Sequence, residues 1–464
     1  MGDPKGFLKI ARQDGEYRPV CERIRDFEQA ARVRPESQSQ EQASRCMDCA
    51  TPFCHSGCPV GNYIPEWNDY MFHGNWAGAL RLLNATNNLP EVTGRVCPAL
   101  CEYACVLGLN DDAVTIRENE LAIIEYGFKN GLIKPKTIKN RTHKKVAVIG
   151  SGPAGLSCAA QLNEAGHSVV VFERDDKPGG ILRYGIPDFK LEKNLIDRRL
   201  GILKKEGIVF KTGVNVGVDY NTGKLLRGFD AVCLALGSRV PRDLKIEGRE
   251  LKGIYFAMDY LVQSNRRVGG ERISKDKLID AKGKNVVVIG GGDTGSDCVG
   301  TAHRQGAACV VQIEVLPKPC NYRTEACPWP RYPLLFKTTS SHEEGGERYW
   351  EVVTKSFVGE RGFVKKLTCA KAGEEFEIEA DLVILAVGFL HPEHSPLVID
   401  LNVALDERGN VKADSKFMTS TERVFSVGDM RRGQSLIVWA ISEGRRSAYC
   451  IDKYLTGESN LPLL

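Results

Sequence analysis

The sequence predicts an α/β protein in which a helical N-terminal domain precedes two Rossmann-like domains. Three observations support this fold class. Seven cysteines lie in two short runs near the N-terminus. Two β-branched runs, KVAVI and NVVVI, each lead directly into a glycine-rich turn. The apolar segments AVCLALGS and DLVILAVGF follow these turns, so the second half of the chain repeats the order of the first.

The length of 464 residues suits about three domains, and a charged fraction of 26% is ordinary for a folded protein. The formal net charge is +4 and is spread along the chain. Proteins that bind a phosphate backbone carry clustered Lys and Arg instead. We therefore expect no nucleic-acid partner.

The N-terminal segment is charged and lacks the apolar core of a signal peptide. No apolar stretch approaches the roughly 18–20 residues of a membrane span. We therefore expect a cytoplasmic protein with no membrane association. Sixteen cysteines in such a chain favour metal ligation over disulfides where they cluster.

Seven of these cysteines have short, regular spacings. The two runs are Cys46-x2-Cys49-x4-Cys54-x3-Cys58-Pro and Cys97-x3-Cys101-x3-Cys105. Such spacings let successive thiolates converge on a cubane iron-sulfur cluster, which needs four soft ligands. In two-cluster ferredoxins the cysteine before the proline ligates the other cluster. By that rule Cys46, Cys49 and Cys54 serve one cluster, and Cys58 serves its neighbour.

Two cubane clusters need one ligand more than these cysteines provide. Either a non-cysteine side chain or a three-iron cluster must be invoked. A pair of zinc sites is the alternative, although zinc ribbons favour paired C-x2-C hooks.

Apolar residues recur at helical steps around the cysteines, as in IRENELAIIEYGFKNG. The sequence therefore predicts a small helical domain around inorganic clusters.

The first glycine-rich turn follows a strand and opens a helix-like segment. Its glycines are Gly150, Gly152 and Gly155. Glu173 ends the next strand about 20 residues on, which completes a dinucleotide-binding fingerprint. The glycines let the backbone approach a pyrophosphate, and the glutamate can accept from a ribose hydroxyl. A stretch containing Gly180 follows, where a flavin ring would lie against the backbone.

The second turn repeats this pattern and should hold a nicotinamide cofactor. Its glycines are Gly290, Gly292 and Gly295, and its next strand ends at Glu314. An acidic residue there favours NAD, whereas a basic residue can bind the 2′-phosphate of NADP. Three basic residues are candidates for that role: Arg304, Lys318 and Arg323. The sequence leaves this choice open.

Near the C-terminus, FSVGDMRRGQS places Gly428 and Asp429 after a short strand and before a helix that opens near Ser435. An aspartate there can bind the ribityl chain of a flavin, and a helix start can face the electron-rich end of the ring. Together with the upstream fingerprint, this segment is a candidate part of the flavin site, whereas alone it would be an ordinary strand-to-helix turn.

Together these motifs resemble the small (beta) subunit of bacterial glutamate synthase over essentially the whole chain. The segments that carry the resemblance include RCMDCATPFCHSGCPVGNYIPEWNDY, TGRVCPALCEYACVLG, VTIRENELAII, VAVIGSGPAGL, GGILRYGIPDFKL, VVVIGGGDTGSDC, TTSSHEEG and FSVGDMRRGQSLIVWAISEGR. A related arrangement occurs in the N-terminal half of dihydropyrimidine dehydrogenase and in NADH-dependent ferredoxin:NADP oxidoreductases.

The resemblance implies two FAD/NAD(P)-binding domains of the glutathione/adrenodoxin reductase type. The implied boundaries are 1–142 for the helical domain, 143–239 and 389–464 for the FAD domain, and 240–388 for the NAD(P)H domain. It implies one [4Fe-4S] cluster on Cys46, Cys49, Cys54 and Cys105. The other would be held by Cys58, Cys97, Cys101 and Glu120. FAD would lie on Gly150 to Gly155, Glu173, Gly180 and Asp429. NADPH, with NADH as the alternative, would lie on Gly290 to Gly295.

The resemblance also implies a function without a catalytic acid or base. Electrons would pass from NADPH through FAD and the clusters to a large (alpha) subunit that makes glutamate from glutamine and 2-oxoglutarate. Gly2 follows Met1 where the family's large subunit has an N-terminal cysteine nucleophile, so this chain alone should not make glutamate. The alternative is an electron-transfer subunit of the NAD(P)H:ferredoxin or dihydropyrimidine dehydrogenase type.

Overall fold

The structure is a computed structural model that describes residue 3 and residues 5–463. Met1 and Gly2, on which one expectation rests, lie outside the described residues. Within the described ranges no helix is both long and apolar enough to cross a bilayer. A helical region is followed by two sheet-containing regions.

The elements are numbered in chain order. The α-helices are α1 (Gly6–Lys9), α2 (Val20–Arg23), α3 (Glu36–Ala43), α4 (Phe53–Gly57), α5 (Ile64–Phe72), α6 (Trp76–Thr86), α7 (Pro90–Val96), α8 (Leu100–Tyr103), α9 (Ile116–Lys129), α10 (Pro153–Glu164), α11 (Ile181–Tyr184), α12 (Lys193–Lys205), α13 (Thr222–Gly228), α14 (Ala257–Val268), α15 (Asp293–Gln305), α16 (Ser340–Glu343), α17 (Pro396–Asp400), α18 (Asp429–Arg432) and α19 (Ile437–Thr456). The strands are β1 (Lys145–Ile149), β2 (Ser168–Phe172), β3 (Val209–Lys211), β4 (Ala231–Leu234), β5 (Ile254–Phe256), β6 (Asn285–Ile289), β7 (Cys309–Glu314), β8 (Glu347–Trp350), β9 (Val353–Glu360), β10 (Phe363–Lys371), β11 (Glu374–Glu379), β12 (Leu382–Leu385) and β13 (Val424–Ser426).

Helices α5, α6 and α9 form the core of the N-terminal region. Trp67 and Met71 on α5 and Leu83 on α6 are fully buried, because apolar residues recur on the inner face of each helix. Helix α7 lies close against α9, where a side chain on Gly94 would come within 3.0 Å of Leu121. Helix packing therefore holds this region together, and the cysteines lie in its short helices and loops.

The first sheet has the order β13-β4-β1-β2-β3, and all of its strand pairs are parallel. Strand β4 is buried along its whole length, as expected for a parallel sheet covered on both faces. Helix α10 packs on β1 and β2 and against α19. A side chain on Gly444 of α19 would lie 2.3 Å from the carbonyl oxygen of Ala154, so only glycine allows this approach.

The second sheet has the order β5-β12-β6-β7-β8, again with all pairs parallel. Its strands follow the same spatial pattern as the first sheet, with β6 in the place of β1 and β7 in the place of β2. Strands β9, β10 and β11 form a separate antiparallel sheet. Because β13 returns to the first sheet, the second sheet is inserted into the first domain. The predicted α/β fold with a helical N-terminal domain is confirmed.

Buried ion pairs join the N-terminal region to both sheet regions. Both oxygens of Glu91 on α7 accept from the guanidinium of Arg199 on α12, each at 2.7 Å. Arg23 on α2 donates to Glu344 at 2.8 Å, and Glu344 also pairs with Arg304 of α15. These contacts fix the cysteine-bearing region against the two dinucleotide folds.

Candidate functional site

One large cavity, of about 1020 Å³, lies at the carboxyl ends of both parallel sheets. This is where open α/β sheets bind their ligands. Predicted flavin-site residues line it: Gly150, Gly152, Glu173, Gly180 and Asp429. The first two residues of α15, Asp293 and Thr294, line it from the second fold. The two folds therefore share one cavity.

The first glycine turn adopts the geometry that a bound pyrophosphate needs. Gly150 has φ +104°, and a side chain there would lie 2.3 Å from the carbonyl oxygen of Ala235. A side chain on Gly155 would lie 2.0 Å from the carbonyl oxygen of Gly150. A side chain on Gly152 would meet nothing within 4 Å, so this position is open towards the cavity at the start of α10. The turn fits a phosphate at a helix N-terminus.

Glu173 is buried at the end of β2 and is held by backbone donors. Its Oε2 accepts from the backbone N–H of Ser151 at 3.1 Å, and its Oε1 accepts from the N–H of Asp175 at 3.0 Å. Gly180 has φ +53°, and a side chain there would lie 2.9 Å from Cα of Gly152. The carboxylate is therefore fixed beside the turn, where it can meet an adenosine ribose.

Asp429 follows β13 and reaches the same cavity. Burial raises the pKa of Asp429 to about 6, although the hydroxyl of Ser435 donates to it at 2.9 Å. Gly428 has φ +68°, and a side chain there would lie 2.9 Å from Cβ of Ala154. Ser238 also lines the cavity, and its buried hydroxyl makes no hydrogen bond within the described residues. Polar groups of this kind fit the hydroxyl-rich chain of a flavin nucleotide.

The second glycine turn reproduces the first. Gly290 has φ +121°, and a side chain there would lie 2.3 Å from the carbonyl oxygen of Ala386. A side chain on Gly295 would lie 2.2 Å from the carbonyl oxygen of Gly290, whereas one on Gly292 would meet nothing within 4 Å. Glu314 accepts from the backbone N–H of Gly291 at 2.7 Å. The second turn therefore has the geometry that suits a dinucleotide.

Four predicted cluster ligands share one small cavity in the N-terminal region: Cys46, Cys49, Cys54 and Cys105. Ile64 and Asn68 line the same cavity. Burial raises the pKa of Cys46 to about 12 and also raises the pKa of Cys54, with the neighbouring thiols adding to both effects. Such thiols ionise when a cationic centre binds them. This donor set suits an iron-sulfur cluster.

The other predicted ligands form a second group. Burial raises the pKa of Cys58 to about 11 and that of Cys97 to about 12, and the charge of Glu120 adds to both shifts. Burial also raises the pKa of Cys101, with contributions from Cys58, Cys97 and Glu120. Glu102 acts on Cys101 and Arg117 on Cys97 as well, but none of the four cysteines of the first cavity is among these causes. The fold therefore divides the eight side chains into two sets.

Glu120 is buried in α9, with 5% of its surface exposed, and does not lie on a solvated helix face. Its Oε1 accepts from the amide of Asn87 at 3.0 Å and from the hydroxyl of Thr93. Burial raises the pKa of Glu120 to about 7 despite these bonds. Within the described ranges, no group of three or more His, Cys, Asp or Glu side chains is placed so that it could hold a single metal ion.

Of the basic residues considered for a 2′-phosphate, two are already engaged. Arg304 is buried in its ion pair with Glu344. Arg323 donates to the carbonyl oxygens of Tyr103 at 3.0 Å and of Cys327 at 3.2 Å. Lys318 is exposed and lies over aromatic rings. No separate sequence signal pointed to Ser238 or to the contribution of Asp293 to the shared cavity, because both depend on contacts between segments that are distant in sequence.

Comparisons with known proteins agree with this geometry. The pyridine nucleotide-disulphide oxidoreductase family matches residues 144–444, and the family described as dihydropyrimidine dehydrogenase domain II, 4Fe-4S cluster, matches residues 23–132. The "Glutamate synthase [NADPH] small chain" of Mycobacterium tuberculosis is 52% identical over 100% of this chain and 98% of that relative. The chain belongs to the glutamate synthase small-chain family. The resemblance drawn from the motifs is confirmed, and the chain is an oxidoreductase.

Two further relatives show the range of this family. The "Glutamate synthase [NADPH] small chain" of Bacillus subtilis is 44% identical over the full length of both chains. The "Glutamate synthase [NADH]" of Schizosaccharomyces pombe is 44% identical over 99% of this chain, which covers 23% of that larger relative. Among solved structures, FprA of Mycobacterium tuberculosis has a TM-score of 0.54 at 18% identity, over 68% of this chain and 85% of that one. That likeness shows the fold alone.

Proposed function

We propose that this chain is the electron-input component of a glutamate synthase. It takes electrons from a reduced nicotinamide nucleotide and passes them to a large (alpha) subunit that makes glutamate from glutamine and 2-oxoglutarate. The single observation that carries the proposal is the cavity shared by the two dinucleotide folds, which the start of α15 enters beside the flavin-site residues. The names of the relatives support the assignment of the reaction, and they include both NADPH and NADH enzymes.

The residues of this chain would bind and orient the cofactors. We propose that FAD is held by the first turn, Glu173, Gly180 and Asp429, and the nicotinamide nucleotide by the second turn. When bound, a flavin supplies conversion between two-electron hydride transfer and one-electron transfer. The apolar part of the lining, including Ile149 and Leu385, would exclude water from the reacting atoms. No acid or base is required of the protein.

We propose two [4Fe-4S] clusters, one on each set of side chains described above. Cys54, Cys101 and Cys105 belong to the core of the N-terminal helices, and Cys58 packs against it. Only Cys58 and Cys97 among the predicted ligands also pack against the core of the FAD-binding domain. The set with Glu120 is therefore the nearer one to the flavin. Electrons would cross it first and leave through the set with Cys46, so we expect the large subunit to dock on the N-terminal domain.

We further propose domain boundaries near residues 142, 239 and 388, and a cytoplasmic location. None of the sixteen cysteines forms a disulfide in the structure, which supports a reducing compartment. The proposal of a large-subunit partner is supported by the Schizosaccharomyces pombe relative, in which the matching segment is part of a much longer chain.

The test is an anaerobic purification of the tagged chain from its native cells, followed by assays of NADPH and NADH oxidation. We expect a large subunit to co-elute and oxidation to require both glutamine and 2-oxoglutarate. A C101A variant should keep flavin reduction by the nucleotide and lose glutamate formation. A C21A variant, which changes an exposed cysteine outside both sets, should retain both activities.

A second candidate is an electron-transfer subunit for another acceptor, favoured by the match of residues 23–132 to the dihydropyrimidine dehydrogenase domain. This candidate would replace the glutamate synthase proposal if nucleotide oxidation did not depend on glutamine and 2-oxoglutarate but was stimulated by uracil or by ferredoxin.

A further inference from the structure

We infer that Glu314 makes the second dinucleotide site prefer NADH to NADPH. The inference rests on the proposed function, in which this site binds the reduced nicotinamide nucleotide. In addition to that function, we infer that Glu314 determines which nucleotide is preferred and that NADPH is the less effective electron donor.

Glu314 ends β7 with both carboxylate oxygens held by the backbone. Its Oε2 accepts from the N–H of Gly291 at 2.7 Å, and its Oε1 accepts from the N–H of Leu316 at 3.0 Å. A side chain on Gly291 would lie 2.8 Å from Oε2, so the carboxylate is packed against the glycine turn. A carboxylate with two backbone donors does not swing away without losing both bonds.

The first fold contains the same arrangement. Glu173 accepts from the N–H of Ser151, the residue after the first glycine, and from the N–H of Asp175, two residues further along the chain. Glu314 accepts from Gly291 and Leu316, which hold the matching positions. FAD has a free 2′-hydroxyl on its adenosine ribose, and a carboxylate here reads that hydroxyl. A second site built in the same way is therefore suited to an adenosine with a free 2′-hydroxyl, which NADH has and NADPH lacks.

The 2′-phosphate of NADPH carries a charge of about −2. Beside a fixed carboxylate, it is opposed by like-charge repulsion and by loss of the hydroxyl donor. The carboxylate therefore favours the ligand with a free hydroxyl and repels the phosphorylated one.

Two cations near the end of β7 could oppose this effect. Lys318 lies 4.5 Å and Arg348 4.7 Å from the centre of the Phe336 ring, and they lie 5.2 Å and 5.0 Å from the Trp350 ring. Arg348 also donates to the carbonyl oxygen of Lys337 at 3.2 Å. Both cations are thus held over aromatic rings. The competing assignment is that they turn towards a 2′-phosphate, and the experiment separates the two.

The experiment uses the full-length chain loaded with its cofactors, and has two readouts. The first is anaerobic stopped-flow reduction of the flavin by NADH and by NADPH. The second is equilibrium binding of ADP-ribose and of 2′-phospho-ADP-ribose to the oxidised protein. We expect a preference of about tenfold or more for NADH and for ADP-ribose, which corresponds to about 1.4 kcal/mol.

The E314Q variant should lose most of this preference, mainly because the phosphorylated ligands bind better. E351Q is the matched control, since Glu351 is an exposed carboxylate shortly after β8, and it should keep the wild-type ratio. Flavin content and the melting temperature show whether each variant is folded.

A wild-type preference for 2′-phospho-ADP-ribose would overturn the inference. So would K318A or R348A variants that weaken only the phosphorylated ligands, because the cations would then form the recognition site. Neither readout needs the large subunit. If the protein prefers NADH but forms no glutamate with the co-purified subunit, the proposed function is rejected. The role of Glu314 in nucleotide preference is then still supported.

Discussion

Gln312 donates from Nε2 to the carbonyl oxygen of Gly290, 2.8 Å away, and so supports the second glycine turn from within the sheet. Its Oε1 lies 2.8 Å from Nε2 of His342, and Nδ1 of His342 lies 3.2 Å from the backbone N–H of Thr339. Gln312 Oε1 can only accept, so Nε2 of His342 carries the proton and Nδ1 accepts. A neutral histidine is therefore part of the support of the nucleotide site.

This network predicts that His342 makes stability depend on pH. Burial lowers the pKa of His342 to about 3, with Arg348 among the smaller causes. The unfolded chain takes up the proton below about 6.5 while the folded state resists it, so stability is present above pH 6.5 and is lost as the pH falls towards 3. Thermal melts between pH 5 and 8 should show a shallower slope for H342Q. H143N, which changes an exposed histidine, should match the wild type. Equal slopes for H342Q and the wild type would contradict the prediction.

Two substitutions in the second glycine turn should have different effects, one on nucleotide binding and the other on folding stability. G292A should fold with an unchanged melting temperature, because its side chain meets nothing within 4 Å, but should weaken nicotinamide nucleotide binding about tenfold or more by filling the phosphate position. G295A should lose about 1–3 kcal/mol or more of stability, since its side chain would lie 2.2 Å from the carbonyl oxygen of Gly290. Calorimetric titration and thermal melts measure the two effects. Normal nucleotide binding by G292A would rule out this turn as the phosphate site.

The division of the cluster ligands predicts a pattern of iron loss. C54A and C105A should each lose about half of the bound iron, and the double variant should lose no more, because both cysteines line one cavity. Combining C54A with C97A should remove nearly all of it. Iron analysis and electron paramagnetic resonance of anaerobic protein give the readout, with C309A as a control at an exposed cysteine. Additive iron loss within one set would show that the sets are wrong.

The buried pair of Glu91 and Arg199 should contribute strongly to stability at the contact between the helical region and the FAD-binding domain. E91A should lower the free energy of unfolding by about 3–5 kcal/mol, because it leaves a buried guanidinium without a partner. E91Q should cost less, since the amide oxygen still accepts one bond. The E91L/R199M double variant should regain much of the stability by replacing the pair with apolar packing. Urea unfolding measures each free energy, and a loss below 1 kcal/mol for E91A would contradict the prediction.

The dinucleotide folds were predictable because their signals are local. The strand, the tight turn and the following helix are set by steric contacts among residues close in sequence, as the 2.0 Å approach of a Gly155 side chain to Gly150 illustrates. Glu173 and Glu314 lie one strand further on, at the distance that the fingerprint specifies. The spacing of the first cysteine run likewise assigned Cys46, Cys49 and Cys54 to one set without any tertiary information.

The sequence by itself determined the fold class, the two nucleotide turns and the clustered thiols, because each depends on interactions within a few tens of residues. Only the tertiary structure brought Cys105 into the cavity of Cys46, buried Glu120 against Thr93, and engaged Arg304 and Arg323 elsewhere. These outcomes depend on the packing of helices and loops that are distant in sequence. The energy of such contacts comes from burial and charge pairing across domains, and no local spacing encodes it.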